Sequence, residues 1–128
     1  MDSTLMADLT TRTLAAALDG TATQQRLAAG NLANLETPGY RARHASFEDR
    51  LARALAAERS GDGTAEITQV QARVEMSADP AGPDGNNVSI EAEMTGLSEA
   101  GARYEMLTRL LDRHLAMVGV AIGDGRSS

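Results

Sequence analysis

Asn31-Leu32-Ala33-Asn34-Leu35-Glu36-Thr37-Pro38-Gly39-Tyr40 decides how this chain folds. A long helical pattern runs into the stretch and a pattern of different period leaves it. Thr37 precedes a proline and is pushed out of the α region. Pro38 fixes its own φ, and Gly39 supplies the positive φ that the third position of a type II turn requires. Thr37-Pro38-Gly39-Tyr40 is therefore expected to turn the chain. Asn31 and Asn34 fall in the last helical turn, where an amide can bond free carbonyls or tolerate left-handed backbone. Thr-Pro-Gly alone implies only that a helix stops.

Upstream, Leu14, Leu18, Thr21, Gln25, Ala28, Leu32 and Leu35 follow alternating spacings of four and three. That is the a/d seam of a helix over residues 4–35. Ala7 and Thr11 extend it backward, and Leu5, Met6, Leu9 and Leu27 widen it. Thr21 and Gln25 make the seam weak. Thr10, Thr11, Thr13, Thr21, Thr23, Gly20 and Gly30 together cost roughly 5 kcal/mol of helix propensity relative to alanine. Such a helix needs partners.

Downstream, Arg41 to His44 reads as extended or irregular. Ser46 is expected to open a second helix, with Asp49 completing a capping-box signal. Phe47, Leu51, Ala54 and Leu55 give it one apolar face, and Ser60-Gly61-Asp62-Gly63 ends it near Arg59. Within residues 64–77, Val70, Ala72, Val74 and Met76 alternate with Gln71, Arg73 and Glu75. The alternation predicts a half-buried strand, paired with the stretch around Ile67. An isolated hairpin is marginal in water, so this segment is expected to be mobile until something packs on it. Residues 78–87 read as a loop.

The last helix is expected to start between Asn87 and Ser89. Glu91 and Glu93 sit early in it, while Arg109, Arg113 and His114 sit late, which complements the helix dipole. Ile90, Met94, Leu97, Gly101, Tyr104, Thr108, Leu111, Leu115, Val118 and Ile122 form its main seam. Leu107, Leu110, His114, Met117 and Ala121 form a neighbouring stripe. Each terminal helix would span about 50 Å. They are expected to pair as an antiparallel coiled coil, with residues 41–87 looped out at one end. The fold is then mainly α in three parts: the first helix and turn over 1–40, a middle segment over 41–87, and a last helix over 88–128. The middle segment carries a helix at about 46–59 and an extended or mobile stretch at 60–87. One partner helix covers one seam, so the second stripe must meet something else, and other copies or related subunits are the natural candidates.

The composition excludes much. The 128 residues allow one domain, and the net charge is −6 with arginine as the sole basic residue type. An acidic chain without a basic run is a poor nucleic-acid ligand. No cysteine is present, which excludes disulfides, thiolate metal sites and cysteine nucleophiles. No apolar run approaches the roughly 20 residues of a membrane span. The N-terminus lacks a secretory signal, which suits either cytoplasmic residence or type III export. His44 and His114 have no carboxylates at metal-ligand spacing. Neither a nucleophile elbow nor a phosphate loop is found. No enzyme activity, catalytic residue, cofactor or metal is expected.

The string Asn-Leu-Ala-Asn-x-x-Thr-Pro-Gly-Tyr resembles the N-terminal signature of the flagellar rod, hook and hook-associated proteins, in which it closes a long N-terminal helix. Val88-Ser89-Ile90-Glu91-Ala92-Glu93-Met94, then Tyr104 to Leu111 and Met117, are similar to the C-terminal helix of the proximal rod proteins of that family. Arg41-Ala42-Arg43 ahead of Phe47 is similar as well. Gly30 stands where many members have a second Asn, and His44 where Asp is common. Residues 56–87 match no family pattern.

The resemblance implies a structural subunit of the flagellar basal-body rod, needed for flagellum assembly and motility. It would be exported without signal cleavage and polymerise in the periplasm through its terminal helices. The implied partners are copies of itself, other rod proteins, the rod-base adaptor FliE and the type III export apparatus. Asn31, Leu32, Ala33, Asn34, Thr37, Pro38, Gly39 and Tyr40 would form the corner motif. Leu14, Leu18, Leu32, Leu35, Ile90, Met94, Leu97, Tyr104, Leu107, Leu110, Leu111, Leu115, Val118 and Ile122 would form the assembly seam. The alternative is a small cytoplasmic helical regulator or chaperone that binds one partner through the same helices.

Overall fold

The computed structural model describes residues 3–61 and 67–126. Asp62 and Gly63 of the expected helix stop, and residues 64–66 of the expected strand region, lie outside them. The elements are α1 (Ser3–Ala33), β1 (Arg43–Ser46), α2 (Glu48–Arg59), a 3-10 turn (Ile67–Gln69), β2 (Arg73–Met76) and α3 (Ile90–Arg126). The long terminal helices run antiparallel along each other. At one end His114 Nε2 lies 2.9 Å from the Ala7 carbonyl oxygen. Further along, Arg103 Nη1 donates to Gln24 Oε1 at 3.3 Å.

α1 tolerates its threonines because they bond within the helix. Thr10, Thr11, Thr13 and Thr23 each donate to the carbonyl four residues back. Thr21 is fully buried, and its hydroxyl is the sole buried side-chain polar atom without a partner among the described residues.

The middle segment does not loop out beyond the end of the helix pair. It folds back along α1 and forms a core of its own. Phe47 packs against the bare backbone of Gly20, where an added Cβ would collide with the ring. Leu9, Leu51, Ala54 and Ile67 close around Phe47, all buried. Arg12 grips both carboxylate oxygens of Glu58 at 3.0 and 2.9 Å, and Ile67 N–H donates to the same carboxylate at 3.1 Å. Arg12, followed by that N–H, holds the Glu58 carboxyl below the usual carboxylate range. α1 thus has two clad faces, which compensates for its poor seam.

Three local expectations are corrected. Ser46 ends β1 rather than capping α2; Phe47 takes the cap position without a side-chain cap bond, because a phenyl ring carries no acceptor, and its ring packs in the core. Glu48 Oε2 accepts the Phe47 N–H at 3.1 Å instead. β2 pairs antiparallel with β1, Arg43 opposite Met76 through Ser46 opposite Arg73, and not with the Ile67 stretch. Ile67 is wholly buried beneath α2, so its backbone serves a 3-10 turn rather than a ladder. The alternation also divides. Val70 and Ala72 pack on the core, whereas Val74 and Met76 are exposed in a strand that faces outward.

An amide-locked corner and the outer faces of the last helix

The turn has the geometry its residues dictate. Tyr40 N–H donates to the Thr37 carbonyl at 3.2 Å, and Gly39 has φ +75°. No non-glycine residue among those described has positive φ, so neither asparagine uses left-handed backbone. Asn34 Nδ2 donates to the Gly30 carbonyl at 2.9 Å, which also accepts the Asn34 N–H at 3.2 Å. Asn31 does something else. Fully buried, it donates from Nδ2 to the Arg43 carbonyl at 2.9 Å and accepts the Arg43 N–H on Oδ1 at 3.0 Å. One amide thereby satisfies both backbone groups of the first β1 residue, as a neighbouring strand would. Tyr40 Oη also donates to Asn31 Oδ1, at 3.2 Å.

Two residues expected in a loop and at a helix start complete the lock. Asn86 Nδ2 donates to the carbonyls of Asn34 at 2.9 Å and Thr37 at 2.8 Å. Asn87 Oδ1 accepts the Ala42 N–H at 2.7 Å, and its Nδ2 donates to Ser77 and Asp79 carbonyls at 3.1 Å each. Gly39 N–H donates to the Asp84 carbonyl at 2.8 Å. At Gly85, with φ +82°, an added Cβ would lie 3.3 Å from Gly39 Cα. Ser89 then caps α3, its Oγ accepting the Ala92 N–H at 3.3 Å. The available signal was Gly85-Asn86-Asn87 itself, two short amides and a permissive glycine ahead of a helix. Of the corner residues, Ala33, Thr37, Pro38 and Gly39 are exposed, while Leu32, Asn34 and Tyr40 are half-buried.

Away from the corner, α3 presents three faces. Glu93, Leu97, Ala100, Leu107, Leu111, His114 and Val118 are buried or half-buried, on a row of three- and four-residue steps, with one step of seven across Tyr104, that faces α1. Gly101 belongs to the same contact, since an added Cβ would meet Gln25 Nε2 at 3.4 Å. This row takes Leu97, Leu111 and Val118 from the main seam and Leu107 and His114 from the second stripe. At 100° per residue, the remaining members divide onto two flanks. Ile90, Met94 and Leu115 are exposed on one flank; Leu110 and Met117 are exposed on the other, with Met106 and Val120, which neither predicted stripe includes. Tyr104 lies at the edge of the packed row, 39% exposed. Leu14, Leu18, Leu32 and Leu35 on the α1 side are half-buried. The side chains of Ala121 and Ile122 lie outside the described residues. No group of three or more His, Asp or Glu side chains is placed to hold a metal among the described residues, and no described helix is long and apolar enough to cross a membrane.

Comparisons with known proteins agree with this architecture. No protein-family model matches the chain. The flagellar basal body rod protein FlgB of Cereibacter sphaeroides is 35% identical over 111 residues, covering 78% of this chain and 83% of that protein. FlgB of Salmonella typhimurium is 30% identical over 122 residues, covering 84% and 88%. FlgB of Borrelia hermsii is 28% identical over 120 residues, covering 82% and 89%. With the corner motif joining two long antiparallel helices, and with likeness across most of both chains, this protein belongs to the FlgB family of flagellar basal-body rod proteins.

Proposed function

We propose that this chain is a structural subunit of the proximal rod of the flagellar basal body and that it assembles through the two exposed flanks of α3. The carrying observation is the pair of flanks on either side of the row that packs on α1. A helix that is apolar on three sides belongs inside a bundle. A regulator that binds one partner would cover one flank and leave the other wet, so the regulator reading is disfavoured. Two unlike flanks on one helix also favour head-to-tail contacts over a closed symmetric pair. The work is mechanical rather than catalytic: α1 and α3 line a wall, and the corner and ribbon reach toward adjacent subunits. Copies of the chain and other rod proteins are the partners; FliE at the rod base and the type III export apparatus belong to the same reading. So does passage to the periplasm without signal cleavage.

The test is the double variant Leu110→Glu with Met117→Glu, expressed from the native locus. Swimming halos are expected to disappear while the folded subunit still accumulates and still leaves the cytoplasm, as read by immunoblots of cell fractions. Normal halos at equal abundance would overturn the assignment of this flank.

A further inference from the structure

We propose that His44 and Glu93 form a proton-dependent clasp between the β1–β2 ribbon and α3. Glu93 is 3% exposed, and a single side-chain partner holds its carboxylate: His44 Nε2 at 2.7 Å. A carboxylate withdrawn from water is costly unless it is paired and well hydrogen-bonded. The His44 side chain is 56% exposed, so solvent reaches the imidazole. Among the described residues this is the only hydrogen bond that joins the ribbon to α3. The other side-chain bonds of β1 run to α1 and α2, from Gln24 to the Ala45 carbonyl, between Asn31 and Arg43, and from Arg50 to the Ser46 carbonyl.

The contact has two strengths. With a second proton on the imidazole it is an ion pair with a charge-assisted hydrogen bond. With a neutral imidazole it is one hydrogen bond to a buried anion. The charges around it make that difference matter. Glu75 stands directly opposite His44 in the β1–β2 register. Glu48 of α2 lies beside the groove, and Glu99 and Arg103 of α3 line it with His44 and Glu93. α1 contributes only Gln24 and Ala28 to that groove, neither of them charged. Arg43 is the neighbouring cation on β1. Arg103 is engaged with Gln24 at 3.3 Å and Glu48 at 3.8 Å. The imidazole thus bonds one carboxylate and stands opposite a second, with Glu99 and Arg103 lining the same groove. A proton on the imidazole therefore tightens the clasp and its loss weakens it to a single hydrogen bond, while α1 holds β1 through Asn31 in either state.

Amide hydrogen exchange on the full-length protein, corrected for intrinsic rates, tests this at about pH 5.5 and about pH 8. Protection across residues 43–46 and 73–76 is expected to be about two- to fivefold higher at the lower pH, the range one partly exposed ion pair can supply. The dependence should vanish in both His44→Gln and Glu93→Gln, which keep a neutral hydrogen-bonding group in place. It should persist in His114→Gln, which removes the other histidine of the chain. Flat protection in the wild type, or an unchanged dependence in His44→Gln, overturns the proposal.

Discussion

The two ends of the α1–α3 pair are built on opposite principles. At the corner, four asparagines spend their side-chain amides on backbone groups, and the chain is closed by polar bonds of fixed direction. At the opposite end His114 Nε2 lies 2.9 Å from the Ala7 carbonyl oxygen, and Leu5, Met6, Leu110, Leu115, Met117 and Val120 are exposed. Directional bonds specify one geometry and tolerate little substitution. Apolar contact is non-directional and accepts many partners. The corner is therefore where the fold is determined, and the open end is where the surface remains for others.

The largest break in this contrast is expected from Asn31→Ala. It leaves both backbone groups of Arg43 without their partner in a buried site, and should cost about 3 kcal/mol in urea unfolding. Loss below about 1 kcal/mol would mean that water replaces the amide and that the corner is less closed than its bonds imply.

Glycines in α1 sharpen the comparison next. Gly20→Ala drives a methyl into the Phe47 ring and should destabilise by about 1–2 kcal/mol despite better helix propensity. Gly30→Ala meets nothing within 4 Å and should stabilise by up to about 1 kcal/mol. Thermal melts of the pair should therefore shift in opposite directions. Gly39→Val also has open space around it, yet at φ +75° its β-branched side chain should cost at least about 1 kcal/mol.

A smaller effect is expected from the Arg12–Glu58 joint. Because the folded Glu58 carboxyl sits below the usual carboxylate range, its contribution is present at neutral pH and is lost as pH falls through that lowered value. Glu58→Gln should thus lower stability near neutral pH and flatten the acid limb of the unfolding midpoint plotted against pH. Parallel acid limbs would remove the joint from the account. The least effect on the monomer is expected at the open end. Met117→Ser, at a residue 60% exposed, should move the unfolding free energy by under about 0.5 kcal/mol.

What could be read from sequence was local. Periodicity placed α1, α2 and α3 close to their observed bounds, and Pro38-Gly39 placed the turn. The missing parts pair residues that are distant in sequence. Nothing near Gly20 indicates that it seats Phe47, since a glycine inside a helical pattern also fits a merely weak helix. Asn86 and Asn87 have the composition of any loop, and their partners at 34, 37, 42, 77 and 79 become visible only when the chain is folded. The face of α3 that meets α1 was ambiguous because nearly every neighbouring row is apolar. Periodicity cannot rank three apolar faces; the positions of Gly101 and His114 against α1 do so.

The amide lock makes the helix pair a cantilever. Two parallel beams fixed together at one end bend and splay least there, and their deflection grows steeply with distance from the clamp. α3 runs from Ile90 to Arg126, so its outer half extends about 25 Å beyond the tightest bonding. Of the surfaces left for neighbours, Met106, Leu110, Leu115, Met117 and Val120 lie toward that compliant length, while Ile90 and Met94 sit beside the clamp. A subunit built this way can meet neighbours of slightly different spacing by elastic flexure of two helices, without any change at the joint that sets its direction.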